Sequence, residues 1–221
     1  MAESHPHRLP ENWESGLSES DIVLADALIV SFTGVMETWQ ENGNPLNWYK
    51  KPEPSQFGAA FERVEWRQTV PKVAGEIMSN LIWTHALPNA NHRTAVAFIR
   101  TYLQSVANDT TGEIPSAGNY DGEWFDWAKE YIYESKRLLL LGRKRRLLKY
   151  AKAQGVETVT RKGGVEVNLT AHEFNRETKH KAKTGHRNRC ISFSQDLIER
   201  SDYDLLDAID PGKRTFVDRL R

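Results

Sequence analysis

The sequence predicts a mainly α-helical fold, and three features carry that prediction. Apolar residues recur at helical spacing on both sides of a polar stretch, His85 to Ala95, as they do in helices that bury one face. Turn-rich segments separate these runs. Only one short region, Val156 to Leu169, alternates in the manner of strands. The expected architecture has three parts. Residues 1–20 form a flexible arm, 21–142 a helical core, and 143–221 a basic extension containing a β-hairpin.

Residues 1–20 are polar and rich in Pro, Ser and Glu, as loose termini are. Ser20 or Asp21 can cap a helix to about Glu41, with Val23, Ala27, Val30, Phe32 and Trp39 roughly on one side. Asn42-Gly43-Asn44-Pro45 ends it. Leu46 to Gly58 reads as a connecting loop packed by Trp48 and Tyr49, while Phe61 to Trp66 fits either a strand or a short helix. A clearer helix begins near Thr69, with Pro71 tolerated in its first turn and Val70, Val73, Ile77 and Leu81 on one face. A second leaves the polar stretch at about Asn91 and carries Val96, Phe98, Ile99, Tyr102, Leu103 and Val106.

Asn108 to Gly122 is turn-rich, and Glu123 to Leu141 reads as a helix with Trp124, Trp127, Tyr131 and Leu138 in the core. Basic residues from Arg143 to Lys152 then crowd a helical continuation that stops at Gly155. Two alternating runs around Gly163-Gly164 predict a two-residue hairpin turn. Residues 171–189 are basic, and Phe193 to Arg221 is expected to end in an amphipathic helix around Leu197, Leu205, Leu206 and Ile209.

Composition bounds the partners. Hydrophobic residues make up 39% of the 221 and charged ones 27%, which is the composition of a soluble globular protein. The single cysteine, Cys190, has no internal partner and fits a reducing compartment. The longest plain apolar run is Leu138 to Leu141, and Asp26 interrupts Ile22 to Val30. No membrane span, membrane partner or secretion signal is therefore expected, and the expected location is cytoplasmic.

The zero net charge is divided. Residues 1–135 carry 9 Lys and Arg against 19 Asp and Glu, whereas 136–221 carry 21 against 11. Either the C-terminal region grips an acidic partner, such as nucleic acid, or it packs on the acidic N-terminal part. His172, His180 and His186 have no cysteine or carboxylate at ligand spacing, so no metal site is expected among them.

The polar stretch is His85-Ala-Leu-Pro-Asn-Ala-Asn-His-Arg-Thr-Ala95. It lies between two apolar runs and opens the second helix, whose first N–H groups and positive dipole end favour an anion such as phosphate. The stretch resembles the signature of the Fic/Doc (Fido) family, and most closely its Doc branch. His85, Ala90, Asn91 and Arg93 match the signature, and Thr94-Ala95 is the usual Doc continuation. Leu87 stands where phenylalanine is usual, Asn89 where Asp or Glu is, and His92 where Lys or Gly is.

The resemblance implies an antiparallel helical core and a transferase. Such an enzyme moves a nucleotidyl (AMP) or phosphoryl group from a nucleoside triphosphate such as ATP to a Ser, Thr or Tyr hydroxyl of a target protein. His85 would be the base; Asn89, Ala90, Asn91 and Arg93 would hold the nucleotide phosphates. Mg²⁺ would sit at Asn89, where a neutral amide brings no charge to a cation that favours carboxylates. The Doc branch further implies a toxin–antitoxin pair with an antitoxin as partner. Two other readings stay open: a degenerate member that binds nucleotide or a partner without transfer, and a nucleic-acid-binding protein acting through its basic C-terminal region.

Overall fold

The computed structural model describes residues 13–115, 122–161 and 164–221, and for 122–126 the backbone alone. Eight helices and one two-stranded sheet form among them: α1 (Glu19–Glu41), α2 (Ser55–Phe61), α3 (Val70–Thr84), α4 (Asn91–Ala107), α5 (Gly122–Arg143), α6 (Arg145–Ala153), β1 (Thr158–Arg161), β2 (Val165–Asn168), α7 (Arg176–Glu199) and α8 (Lys213–Leu220). The protein is mainly helical with a small antiparallel sheet.

Ser18 caps α1, its hydroxyl oxygen accepting the Asp21 N–H at 3.2 Å. Ahead of it, Trp13 and Leu17 already pack on the core. The first twelve residues of the expected arm lie outside the described residues, as does the side chain of Trp124. By length and composition α1 could cross a membrane. In this fold its Leu24, Ala25, Leu28, Phe32 and Val35 are buried, and it packs on α4, α2 and α8. The loop expected from Leu46 to Gly58 ends instead in α2, which buries Phe57 and Phe61.

α3 lies at the centre. Eleven of its fifteen residues are buried, because α7, α4 and α2 all pack on it. α7 crosses so closely that a Cβ on Gly75 would meet the Ile191 backbone at 2.4 Å. Glycine is what allows the two backbones to approach. The main core therefore runs through residues far apart in sequence, including Leu24, Phe61, Ile77, Phe98, Tyr131, Phe193 and Phe216. The charge division at 135/136 is not a packing division, since Cys190, Leu197, Phe216 and Val217 share this core.

A second cluster (Leu140, Leu141, Leu148, Val167, Leu169, Phe174 and Ala182) joins the end of α5 to α6, the hairpin and the first half of α7. Trp83 packs against both clusters. The hairpin pairs Arg161 with Val165, leaving three residues between them rather than the expected two. Gly164, at φ +75, is the left-handed residue that a three-residue connection requires. Residue Gly163 of the expected turn lies outside the described residues.

The expected C-terminal helix around Leu205, Leu206 and Ile209 does not form. α7 ends at Glu199, and the chain then runs without helix until α8. Tertiary hydrogen bonds explain the difference. Ile209 bridges Thr69, and Val70 N donates to Ala208 O at 2.8 Å. Buried Asp210 accepts from Arg67 N (3.0 Å), Gly212 N (2.8 Å) and Tyr102 OH (2.7 Å). These bonds hold the segment against the start of α3.

Substituting Gly75→Ala should destabilise the protein by about 1–3 kcal/mol, because overpacking outweighs the gain in helix propensity. Gly34→Ala, in open space on α1, should instead be neutral or stabilising by up to about 1 kcal/mol. Urea unfolding of both variants checks the contrast, and equal effects would be inconsistent with the close α3–α7 crossing.

Candidate transfer site at the α3–α4 loop

Six residues, 85–90, separate α3 from α4. His85 is the C-cap of α3 at φ 54, ψ 43, and Ala90 is the N-cap of α4 at φ 54, ψ 19. Both are left-handed, a conformation that costs a residue with a Cβ about 1–2 kcal/mol. Buried Asn91 holds the loop in this shape. Its Oδ1 accepts Leu87 N at 3.3 Å, while its Nδ2 donates to Leu87 O at 3.2 Å and Asn89 O at 3.3 Å. Asn91 thus shapes the loop from within.

Residues 47–53, expected only as a connection, run beside the loop. Tyr49 N donates to Pro88 O at 3.2 Å and Glu53 N to Ala86 O at 2.9 Å. Asn89 Nδ2 donates to Asn47 O at 2.7 Å, and Asn89 Oδ1 accepts the Ala90 N–H at 2.7 Å. The site suits Mg²⁺ poorly. The Asn89 oxygen already accepts the Ala90 N–H and carries no charge, and no group of three or more His, Cys, Asp or Glu is poised to hold a metal among the described residues.

The loop is otherwise suited to an anion. Among the described residues no side chain caps the start of α4, so its first-turn N–H groups remain for a ligand or water. Thr94, fully buried in that turn, has a hydroxyl without a hydrogen-bond partner among the described residues. The Arg93 guanidinium lies over the Trp39 ring at 3.8 Å, which fixes its plane through a cation–π contact. His85 is half-buried, and burial together with the charges of Arg143 and Lys50 lowers its pKa to about 4. It is therefore a neutral imidazole at pH 7, able to accept a proton.

His92 turns inward. Its Nε2 lies 2.9 Å from Ser135 Oγ on α5, and burial, with neighbouring His186, Lys136, His85 and Arg93, pulls its pKa down to about 3. Sequence reasoning missed Lys50, Arg143, Trp39 and Ser135. None shares a local motif with His85, so no spacing signal could have found them.

The basic C-terminal region is partly spent inside the fold. Arg187 pairs with buried Glu76, Arg189 with Glu130 at 3.3 Å, Lys213 with Asp21 at 2.7 Å, and Arg221 with Glu19 at 2.5 Å. A cavity of about 410 Å³ opens between α5, the 171–175 segment and α7, and its cations Arg137 and Lys181 are paired with Glu134 and Glu177. On α6, Arg146 and Lys149 are exposed beside Leu147 and Tyr150.

A family model matches residues 6–221. The chain belongs to a family of unknown function, DUF8172. No curated protein matches it, and no solved structure does either.

Two predictions follow the geometry of this DUF8172 protein. Ala90→Gly removes a Cβ from a left-handed position and should raise stability by about 1 kcal/mol in urea unfolding; a loss would mean that the Cβ packs productively. His85, His92 and His186 all have folded pKa values lowered to about 4 or below, against about 6.5 unfolded. The unfolded chain then binds more protons, so their contribution is complete above about pH 6.5 and is lost as pH falls towards 4. A urea midpoint that stays flat between pH 7 and 4.5 would contradict this.

Proposed function

We propose that this protein is a Fic/Doc-like transferase, moving a nucleotidyl or phosphoryl group from a nucleoside triphosphate to a hydroxyl of a target protein. The observation that carries the reading is the loop itself. A neutral histidine and an uncapped helix start lie at the two ends of one six-residue turn that Asn91 ties from within. A transferase needs a proton acceptor and a phosphate cradle held at a fixed spacing.

In the proposed reaction the target hydroxyl oxygen bonds to phosphorus while the bond to the leaving group breaks. Attack on the α-phosphorus of ATP releases pyrophosphate; attack on the γ-phosphorus releases ADP. His85 takes the hydroxyl proton. The first-turn N–H groups of α4 and the Arg93 fork meet the phosphate charge, with Lys50 and Arg143 contributing positive field near His85. These same cations depress the His85 pKa, so a bound polyanion offsets them and makes His85 a stronger base when substrate is present. The proposal extends to a cytoplasmic toxin whose partner is an antitoxin.

One observation favours a second reading. Asn89 is engaged at both ends of its amide, so the position implied for Mg²⁺ serves the loop instead. A protein with that site could bind nucleotide, or a partner, without transfer.

Incubation with labelled ATP and a cell lysate separates the readings. Transfer by the wild type and a drop of about 10²–10⁴-fold in His85→Ala are expected. Equal labelling by both would remove the transferase proposal, and ATP affinity without any labelling would select the binding protein. For an active protein, kcat/KM should hold steady from pH 7 to about 5 and fall only towards pH 4, as the free His85 protonates.

A further inference from the structure

The stretch from Lys136 to Val156 carries eight Lys and Arg and no Asp or Glu, and α6 lies within it. Three contacts fix how α6 sits. Leu148 is buried in the second cluster, Arg145 Nη1 donates to Asn175 O at 2.8 Å, and Lys152 Nζ donates to His172 O at 2.8 Å. Successive residues of a helix turn by about 100°, which places these three on one side. The rest of the helix faces outward. Arg146, Leu147, Lys149 and Tyr150 are all exposed there, with Lys144 exposed at the N-cap.

The outward charges are kept at an electrostatic cost. Lys144, Arg145 and Arg146 stand at the positive end of the helix dipole, where acidic residues are favoured, and the first turn has no acidic residue. Arg146 and Lys149 are like charges three positions apart, which repel. The side chains of Lys144, Arg146 and Lys149 have no ion pair or hydrogen bond among the described residues. Carboxylates do meet Arg187, Arg189, Lys213 and Arg221. Apolar surface gathers at the same place. Leu147 (62% exposed), Tyr150 (65%) and Val156 (40%) are three of the eight large hydrophobic side chains exposed among the described residues.

We propose that the outward face of α6 binds a single-stranded nucleic acid, with Lys144, Arg146 and Lys149 on its phosphates and a base stacked on Tyr150. Unmatched cations beside an exposed ring meet both parts of such a ligand at once, since phosphates neutralise the charge and every base has a face to stack. Arg146 and Tyr150 are four positions apart, so the guanidinium and the ring are neighbours on the helix surface. A duplex keeps its base faces stacked internally and would leave the ring unused. An interfacial membrane helix would need its apolar stripe for lipid, and in α6 the stripe residue Leu148 is spent in the core. An acidic peptide would match the cations but not the ring. This function is independent of the transfer reading of the α3–α4 loop.

The test measures fluorescence anisotropy of labelled oligothymidylate and oligouridylate, about 16 nucleotides long, with the full chain at a series of salt concentrations. Binding should weaken with salt at a log–log slope of about −2 or steeper, from three phosphate contacts on a single strand. The tighter of the two strands identifies DNA or RNA as the ligand. Arg146→Glu with Lys149→Glu should weaken binding at least about tenfold at low salt and flatten the slope by about 1. Tyr150→Ala should weaken it about 5- to 150-fold with the slope unchanged, and Tyr150→Phe should restore it. All these side chains are exposed, so the urea midpoint should stay at that of the wild type; Arg146→Gln with Lys149→Gln serves if the charge reversal does not fold.

Arg63→Glu with Arg214→Glu is the control, an equal charge change at exposed positions near the start of α3. It should leave binding within about twofold. An equal loss in the control and the α6 pair would show attraction by overall charge and overturn the site. Absence of binding at low salt overturns it as well, and so does Tyr150→Ala binding as tightly as the wild type. Binding to phosphatidylserine vesicles but to neither strand would overturn it in favour of a membrane surface.

Discussion

The burial of α3 on nearly every side is the constraint on which the rest of the structure depends. A helix enclosed in that way must either be apolar throughout or find partners for each polar side chain. α3 does both. Its apolar residues build the main core with α1, α2 and α4. Its two buried polar side chains below the loop are each met from α7. Glu76 pairs with Arg187 and also accepts the Glu65 N–H at 2.7 Å, and Ser79 meets His186. Removing α7 would leave a carboxylate and a hydroxyl unmatched in the interior, a cost of several kcal/mol. The helix that charge alone marks as part of an extension is therefore required by the centre of the fold.

The α3–α4 loop inherits its rigidity from that arrangement. Both helices that it joins are anchored in the core, so the loop has a fixed span to cross. It does so by placing His85 and Ala90 in left-handed conformations. Asn91 then ties the interior of the turn with three hydrogen bonds. Backbone strain of this kind persists only where the surroundings over-determine it. The result is a histidine and a helix start held at constant separation, with cations from Lys50, Arg93 and Arg143 nearby.

The opposed charges of the two halves have a related explanation. Arg187, Arg189, Lys213 and Arg221 reach back to carboxylates on or before α5. Exposed pairs of this type contribute little individually, but the Glu76 and Asp21 carboxylates are buried. For those two, an opposite charge is a condition of burial. Part of the basic surplus is thus structural, while Arg146 and Lys149 on α6 remain exposed.

The sequence by itself determined the elements whose signals are local. The periodic runs of α3 and α4, the Asn91 helix start and the alternating hairpin strands all depend on residues a few positions apart. The candidate loop was legible for the same reason, since His85, Asn89, Asn91 and Arg93 fall within nine positions. α7 was not legible as one helix. The buried positions of its first two-thirds (Ala182, His186, Cys190) are small or polar among basic neighbours, and only its last turns carry buried apolar residues (Phe193, Leu197, Ile198). The tertiary structure alone decided what surrounds the loop. Lys50 is brought to it on the segment before α2, and Ser135, Arg143 and His186 by helix packing, and separations from 35 (Lys50 to His85) to 107 positions (Ser79 to His186) leave no periodicity to read. It also decided that residues 205–210 form no helix, because hydrogen bonds to the start of α3 outweigh the helical spacing of Leu205, Leu206 and Ile209.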